Sequence, residues 1–243
     1  VNRRRYIAIE GLIGVGKTSL CRILEKEWGA RLVLEPWEHN PFLAAFYEDA
    51  ERFAFPAQMF YLATRSAQQL NLRQEDLFEQ TVVADYVFQK DRLFAEQTLN
   101  EEELALYDRF ARMLRTAAPR PDLVLFLDAP TEVILSRIQR RAISAEQRIQ
   151  ADYLDALRSR YYALWDRYED APVYVLNTQD IDYINDEGAR RQVLEMLQGW
   201  ASGRPVPGSP PPYDTRGPEQ LSLFLDGQRP ESQRPESAQP TGA

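Results

Sequence analysis

Gly11-Leu12-Ile13-Gly14-Val15-Gly16-Lys17-Thr18 fits the pattern G-x-x-x-x-G-K-[ST] without a mismatch. The short apolar run Tyr6-Ile7-Ala8-Ile9-Glu10 stands before it. Ser19–Lys26, which has helical periodicity, stands after it. Strand, loop and helix therefore follow in the order a phosphate-binding loop requires. Gly11, Gly14 and Gly16 let the backbone curl, so that the N–H groups of the loop, Val15 included, point inward at an anion. The helix opening at Lys17 adds the positive end of its dipole. Lys17 has the reach to meet the β- and γ-phosphates, and the Thr18 hydroxyl is a ligand for Mg²⁺. The segment implies a nucleoside triphosphate.

Outward from this loop, residues 1 to 201 alternate short apolar strands with long helical stretches. The strands are expected at Tyr6–Ile9, Arg31–Leu34, Val82–Asp85, Leu123–Asp128 and Val173–Leu176. They are rich in Val, Ile and Leu, as strands buried on both faces are. Helices are expected at Lys17–Trp28, Pro41–Glu51, Phe53–Arg73, Tyr86–Leu99, Glu101–Thr116, Thr131–Arg141, Ala151–Tyr168 and Asp186–Trp200. The pattern predicts an α/β fold of three layers, a five-stranded parallel sheet between helices, with the phosphate loop at its carboxyl edge.

The bulk properties narrow the partners. The formal net charge is −8 and no block of Lys and Arg occurs, so a nucleic-acid partner is not expected. No run of 18 apolar residues suggests a membrane span. The single Cys21 excludes an internal disulfide framework and suits a reducing cytoplasm. With His39 as the only histidine, the inventory offers no His/Cys metal cluster and no Ser-His-Asp triad.

Ligands of open α/β sheets bind at strand ends, so the charged residues there come next. Glu35 closes the second strand in Val33-Leu34-Glu35-Pro36-Trp37, and Asp85 closes the third in Val82-Val83-Ala84-Asp85-Tyr86. One carboxylate suits a general base for an attacking hydroxyl, and the other suits Mg²⁺. Asp85 also reads as the cap of a helix starting at Tyr86. Arg137, Arg140 and Arg141 stand at i, i+3 and i+4, on one helix face. Planar, permanently charged guanidinium groups there suit a lid over a transferring phosphoryl group.

Together the phosphate loop, the Leu34-Glu35-Pro36 turn, Gln58 seven residues before Arg65, Asp85-Tyr86 and the arginine lid resemble the deoxynucleoside kinases. Ile7-Ala8-Ile9-Glu10-Gly11, Asn40-Pro41-Phe42-Leu43, Phe46-Tyr47 and Ala84-Asp85-Tyr86 are similar to the bacterial deoxyguanosine/deoxyadenosine kinase branch. The resemblance covers about residues 5–200. It implies a P-loop kinase fold, ATP and Mg²⁺, a small deoxynucleoside as acceptor and a cytoplasmic homodimer. By residue, it implies that Glu35 takes the proton of the 5′-hydroxyl and that Gln58 and Arg65 read the base. Phe94 would stack under the base, and Tyr47 with Glu146 would hold the 3′-hydroxyl. Arg137 and Arg141 would be the lid arginines, and Thr18 with Asp85 would hold the metal. Adenine and guanine both offer edges that a Gln58 amide can meet, in one orientation or the other.

Two departures stand out. Many relatives carry Glu-Arg-Ser where this chain has Asp85-Tyr86, and Tyr86 brings no charge; Lys90, one turn along, is the expected substitute. Ile143 stands where a lid arginine is frequent. Two rival readings share the phosphate loop. A nucleoside monophosphate kinase of the thymidylate type has an anionic acceptor, which calls for an arginine where Glu35 stands. A GTP-dependent switch calls for Asn-Lys-x-Asp, which does not occur.

From residue 202 Pro, Gly, Ser, Gln and Arg dominate, and a disordered tail is expected through residue 243. Within it, Gln220-Leu221-Ser222-Leu223-Phe224 and Leu225 form an apolar island. It looks like the short peptide by which bacterial replication and repair proteins dock on the sliding clamp.

Overall fold

The computed structural model describes residues 5–74, 81–114 and 119–213. Its centre is a parallel sheet of β1 (Tyr6–Gly11), β2 (Arg31–Val33), β3 (Val82–Ala84), β4 (Leu123–Asp128) and β5 (Val173–Asn177). The strand order is β2-β3-β1-β4-β5. The register sets Ile7 beside both Val83 and Leu123, and Ile9 beside Leu125. Every residue of β1 is buried, as are the first five of β4. This is why the strands read as continuous apolar runs rather than as alternations. Ile7, Ile9, Leu20, Leu24, Val83 and Leu125 form the heart of the core. Phe126 packs its ring against Tyr161 and Trp165 at 5.1 and 5.6 Å. Because all five strands run parallel, Gly11, Glu35, Asp85 and Asp128 gather along one edge of the sheet.

Eight helices are seen among the described residues: α1 (Lys17–Trp28), α2 (Leu43–Glu48), α3 (Ala50–Gln74), α4 (Lys90–Thr98), α5 (Glu101–Leu114), α6 (Thr131–Arg141), α7 (Ala151–Trp165) and α8 (Glu187–Ala201). Three differ from the sequence expectation in ways that bear on the site. The helix expected from Tyr86 begins only at Lys90, because the Val87 N–H is tied down by Glu10 Oε1 at 2.8 Å. Asp85 therefore caps no helix, and its oxygens are turned to the site. The helix expected over residues 41–51 contracts to α2, held at its start by Asn40, whose Oδ1 accepts from Phe42 N–H at 3.0 Å. The helix expected from Phe53 starts earlier, at Ala50.

Residues 202–213, assigned to the tail on composition, lie packed on the domain. Tyr213 N–H donates to Val173 O at 2.6 Å, Tyr213 OH to Asp166 Oδ1 at 2.9 Å and Trp200 Nε1 to Pro210 O at 3.2 Å. The segment is proline-rich, yet backbone and ring contacts hold it. The apolar island at 220–225 lies outside the described residues.

Candidate active site

The loop from Gly11 to Thr18 joins β1 to α1 through three glycines at positive φ: 147° at Gly11, 81° at Gly14 and 115° at Gly16. At Gly16 a Cβ would fall 2.3 Å from the Tyr183 hydroxyl, which itself donates to Gly16 O at 3.2 Å. Lys17 Nζ donates to Gly11 O and Leu12 O at 2.9 and 3.0 Å. Burial, reinforced by the positive charge of Lys90, brings its pKa down to about 8. Thr18 Oγ1 donates to Asp85 Oδ2 at 3.1 Å, and the other Asp85 oxygen accepts from Glu35 N–H at 2.7 Å. Burial raises the Asp85 pKa, opposed by the charges of Lys90 and Lys17. The cleft in front of the loop has a volume of about 580 Å³, within the range of small-molecule sites. Arg137, Arg140 and Arg141 line one wall and residues 179–185 another.

A second cleft continues from Lys17 and Thr18 toward the helices. It brings together Glu35, Tyr47, Gln58, Arg65, Asp85, Lys90, Phe94, Arg141 and Glu146, from five separate parts of the chain. Trp37, Tyr61 and Tyr153 complete the wall. Glu35 is the hub. Lys90 Nζ lies 3.1 Å from its Oε2, and Arg65 Nη2 pairs with its Oε1. Arg65 Nη1 pairs with Asp91, so that both ends of this buried guanidinium rest on carboxylates. Arg65 is thus held in place by side chains of its own protein. Lys90 is buried over the Phe94 ring, 5.4 Å from its centroid. Desolvation lowers its pKa, while the charges of Glu10, Asp85 and Asp91 hold it up.

The arginines expected to form a lid are held in different ways. Arg137 is bolted in place: it donates to Val15 O at 3.2 Å, Thr178 Oγ1 at 2.8 Å and Thr178 O at 2.6 Å. It ties the phosphate loop to the segment after β5. Arg141 pairs with Glu146, which is mostly buried. Helix α6 ends there, with Ala142 in the left-handed conformation at φ 55°.

A family model described as deoxynucleoside kinase matches residues 7–200. The chain belongs to the deoxynucleoside kinase family. It is 35% identical to the deoxyguanosine kinase of Bacillus subtilis (strain 168) over 162 residues, which is 66% of this chain and 78% of the relative. It is 28% identical to the deoxyadenosine/deoxycytidine kinase of the same organism over 207 residues, 81% of this chain and 93% of the relative. A solved structure of deoxyadenosine kinase from M. mycoides with bound dATP superposes with a TM-score of 0.68 at 22% identity. That match covers 80% of this chain and all of the other, and shows the shared fold.

This deoxynucleoside kinase also uses residues that motif reading passed over. Glu10 is fully buried, and it accepts from Gly11 N–H at 3.1 Å, Val87 N–H at 2.8 Å and Tyr161 OH at 2.9 Å. A charged residue at the end of an otherwise apolar strand was its visible signal. Asp91 follows Lys90 and holds Arg65. Thr98 lies one turn beyond Phe94 and accepts from Gln58 Nε2 at 3.2 Å. Nothing local to Asp91 or Thr98 announces a partner on α3.

Proposed function

We propose that this kinase transfers the γ-phosphoryl group of ATP to the 5′-hydroxyl of a purine deoxynucleoside, in nucleotide salvage. The observation that carries the reading is Glu35. It is a carboxylate at the edge of the sheet, sharing one cleft with Lys17 and Thr18 and oriented by Lys90 and Arg65. In this reading Glu35 takes the proton as the hydroxyl attacks in line. Lys17, Arg137 and Arg141 neutralise charge on the phosphoryl oxygens. Lys90 supplies the cation that the Asp85-Tyr86 sequence lacks. Tyr47 and Glu146 hold the 3′-hydroxyl, and Phe94 carries the base.

The residues present fit Mg²⁺. Thr18 Oγ1 and Asp85 Oδ2 lie 3.1 Å apart beside the phosphate loop, and a hydroxyl with a carboxylate suits a hard cation whose other ligands are phosphate and water. When bound, the ion would neutralise phosphate charge there.

Gln58 Oε1 and Arg65 Nε are buried without hydrogen-bond partners among the described residues, and both side chains line the nucleoside cleft. Unmet polar atoms are costly, and a base edge of matching polarity would satisfy them. The test is 5′-monophosphate formation from the four deoxynucleosides with ATP and Mg²⁺. A purine is expected to give the highest kcat/KM, and thymidine as the best acceptor would overturn the reading of the pocket.

We also propose a cytoplasmic homodimer. Leu106, Phe110 and Met113 on α5 are 42, 39 and 80% exposed, with Leu70 on α3 at 40%, and a second copy would cover them. No helix among the described residues is long and apolar enough to cross a membrane. For Gln220–Phe224 we propose docking on a bacterial sliding clamp, tethering the kinase near the replication machinery. Calorimetry of a peptide of residues 214–230 with the clamp tests this. Micromolar binding lost on Leu223→Ala with Phe224→Ala is expected, and equal binding by the altered peptide would refute it.

A further inference from the structure

Gln58 presents an amide to the nucleoside cleft, and an amide has two faces: an acceptor oxygen and a donor nitrogen. Rotation about the last side-chain bond exchanges them. Here the exchange is opposed from behind. Thr98 Oγ1 donates its single hydrogen to Phe94 O, one turn back in α4, at 2.8 Å. With that hydrogen used, Thr98 Oγ1 has only lone pairs left for Gln58. The Gln58 amide therefore has to turn its nitrogen to Thr98, as it does at 3.2 Å. Were the amide rotated, its oxygen could be met only if Thr98 withdrew its hydrogen from Phe94 O, so rotation exchanges two hydrogen bonds for one. Gln58 is 3% exposed, and its Oε1 has no partner among the described residues. Thr98 does not line the cleft itself.

We infer that Thr98 is a positioning residue that fixes the polarity of the Gln58 amide, so that the pocket selects a 6-amino purine over a 6-oxo purine. This rests on the proposed reading of Gln58 as the residue that meets the base. The atom left needing a partner is an acceptor. Adenine brings N6–H to it. Guanine in the same place brings O6, a second acceptor, and has to shift on Phe94 to offer N1–H instead. Both sugar contacts and the ring stack oppose such a shift. A pocket whose buried polar atom stays unpaired with the wrong base discriminates strongly, by roughly tenfold or more. Rotation of the amide, which would rescue guanine, costs the Thr98 bond.

The experiment compares kcat/KM for deoxyadenosine and deoxyguanosine in four full-length proteins. Wild type is expected to favour deoxyadenosine by about tenfold or more. Thr98→Val keeps the shape and removes the acceptor, and it should compress the ratio chiefly by raising kcat/KM for deoxyguanosine. General damage to the fold cannot produce a gain on the poorer substrate. Thr98→Ser restores the hydroxyl and should restore the wild-type ratio. Gln58→Leu should lower kcat/KM for deoxyadenosine and erase the preference. A wild-type preference for deoxyguanosine, or a ratio untouched by Thr98→Val while Gln58→Leu is damaging, would overturn the lock and leave the pocket reading standing. Indifference of both substrates to Gln58→Leu would take down the pocket reading, and the lock with it.

Discussion

At the phosphate end of the cleft the chain offers eight consecutive residues and chiefly their peptide groups. At the nucleoside end it gathers side chains from the end of β2, from α2, α3 and α4, and from the 3₁₀ turn at Ser144–Arg148. The first half is local. Its geometry follows from three glycines at positive φ and from the helix they open. The second half exists only after the helices have packed. Its hub, Glu35, is held by partners 30 and 55 residues away. A site written in one stretch tolerates almost no substitution at its key atoms. A site assembled from distant side chains can be retuned one residue at a time.

Breaking the local half should have the largest effect. Lys17→Met removes the one ammonium of the phosphate loop and is expected to lower turnover by about a thousandfold, measured as steady-state kcat at saturating ATP. The same lysine gives the wild type an alkaline limit. Its pKa is lowered to about 8, so the free enzyme loses this charge as pH rises through that value. In a pH profile, kcat/KM for ATP should accordingly fall above about pH 8.

On the assembled half, Glu35→Gln is expected to keep the fold and to lower kcat by about a hundredfold. Turnover within about threefold of wild type would remove Glu35 from the proton transfer. Lys90→Met should lower kcat by about tenfold, with a smaller change in KM for ATP, because it leaves one Glu35 oxygen without its cation. An unchanged kcat would make Lys90 a packing residue of α4. The smallest effects belong to the chain end. Truncation after Tyr213 should leave kcat within about twofold and Tm unchanged. Truncation after Ala201 removes the bonds from Tyr213 to Val173 and Asp166, and from Trp200 to Pro210. It should lower Tm by a few degrees, on the order of 1 kcal/mol of stability. Equal Tm for the two truncations would place the domain boundary at residue 201 after all.

The same contrast explains what the sequence made legible. The loop, all five strands and α1 could be read directly, because glycine placement and continuous Val, Ile and Leu runs are local signals. Glu35 and Asp85 were visible as charges at strand ends. The start of α4 was not, because a helix register that looks continuous from Tyr86 is broken by a carboxylate 77 residues away. The engagement of Arg65 with Glu35 and Asp91 was equally hidden. An arginine on a helix face carries no mark of which acid it will meet. Thr98 is the extreme case: its role depends on a partner 40 residues distant and on where its own hydroxyl hydrogen goes.

Glu10 has a consequence that concerns solvent exchange. The Val87 amide sits in the turn before α4, outside any regular ladder, and yet its partner is a fully buried carboxylate. Its hydrogen can exchange with water only when that turn lifts away from β1. The amide of Gly11, bonded to the other oxygen of the same group, opens the phosphate loop instead. Paired deuterium uptake at these two positions is therefore a gauge of whether the two halves of the cleft breathe together or one at a time.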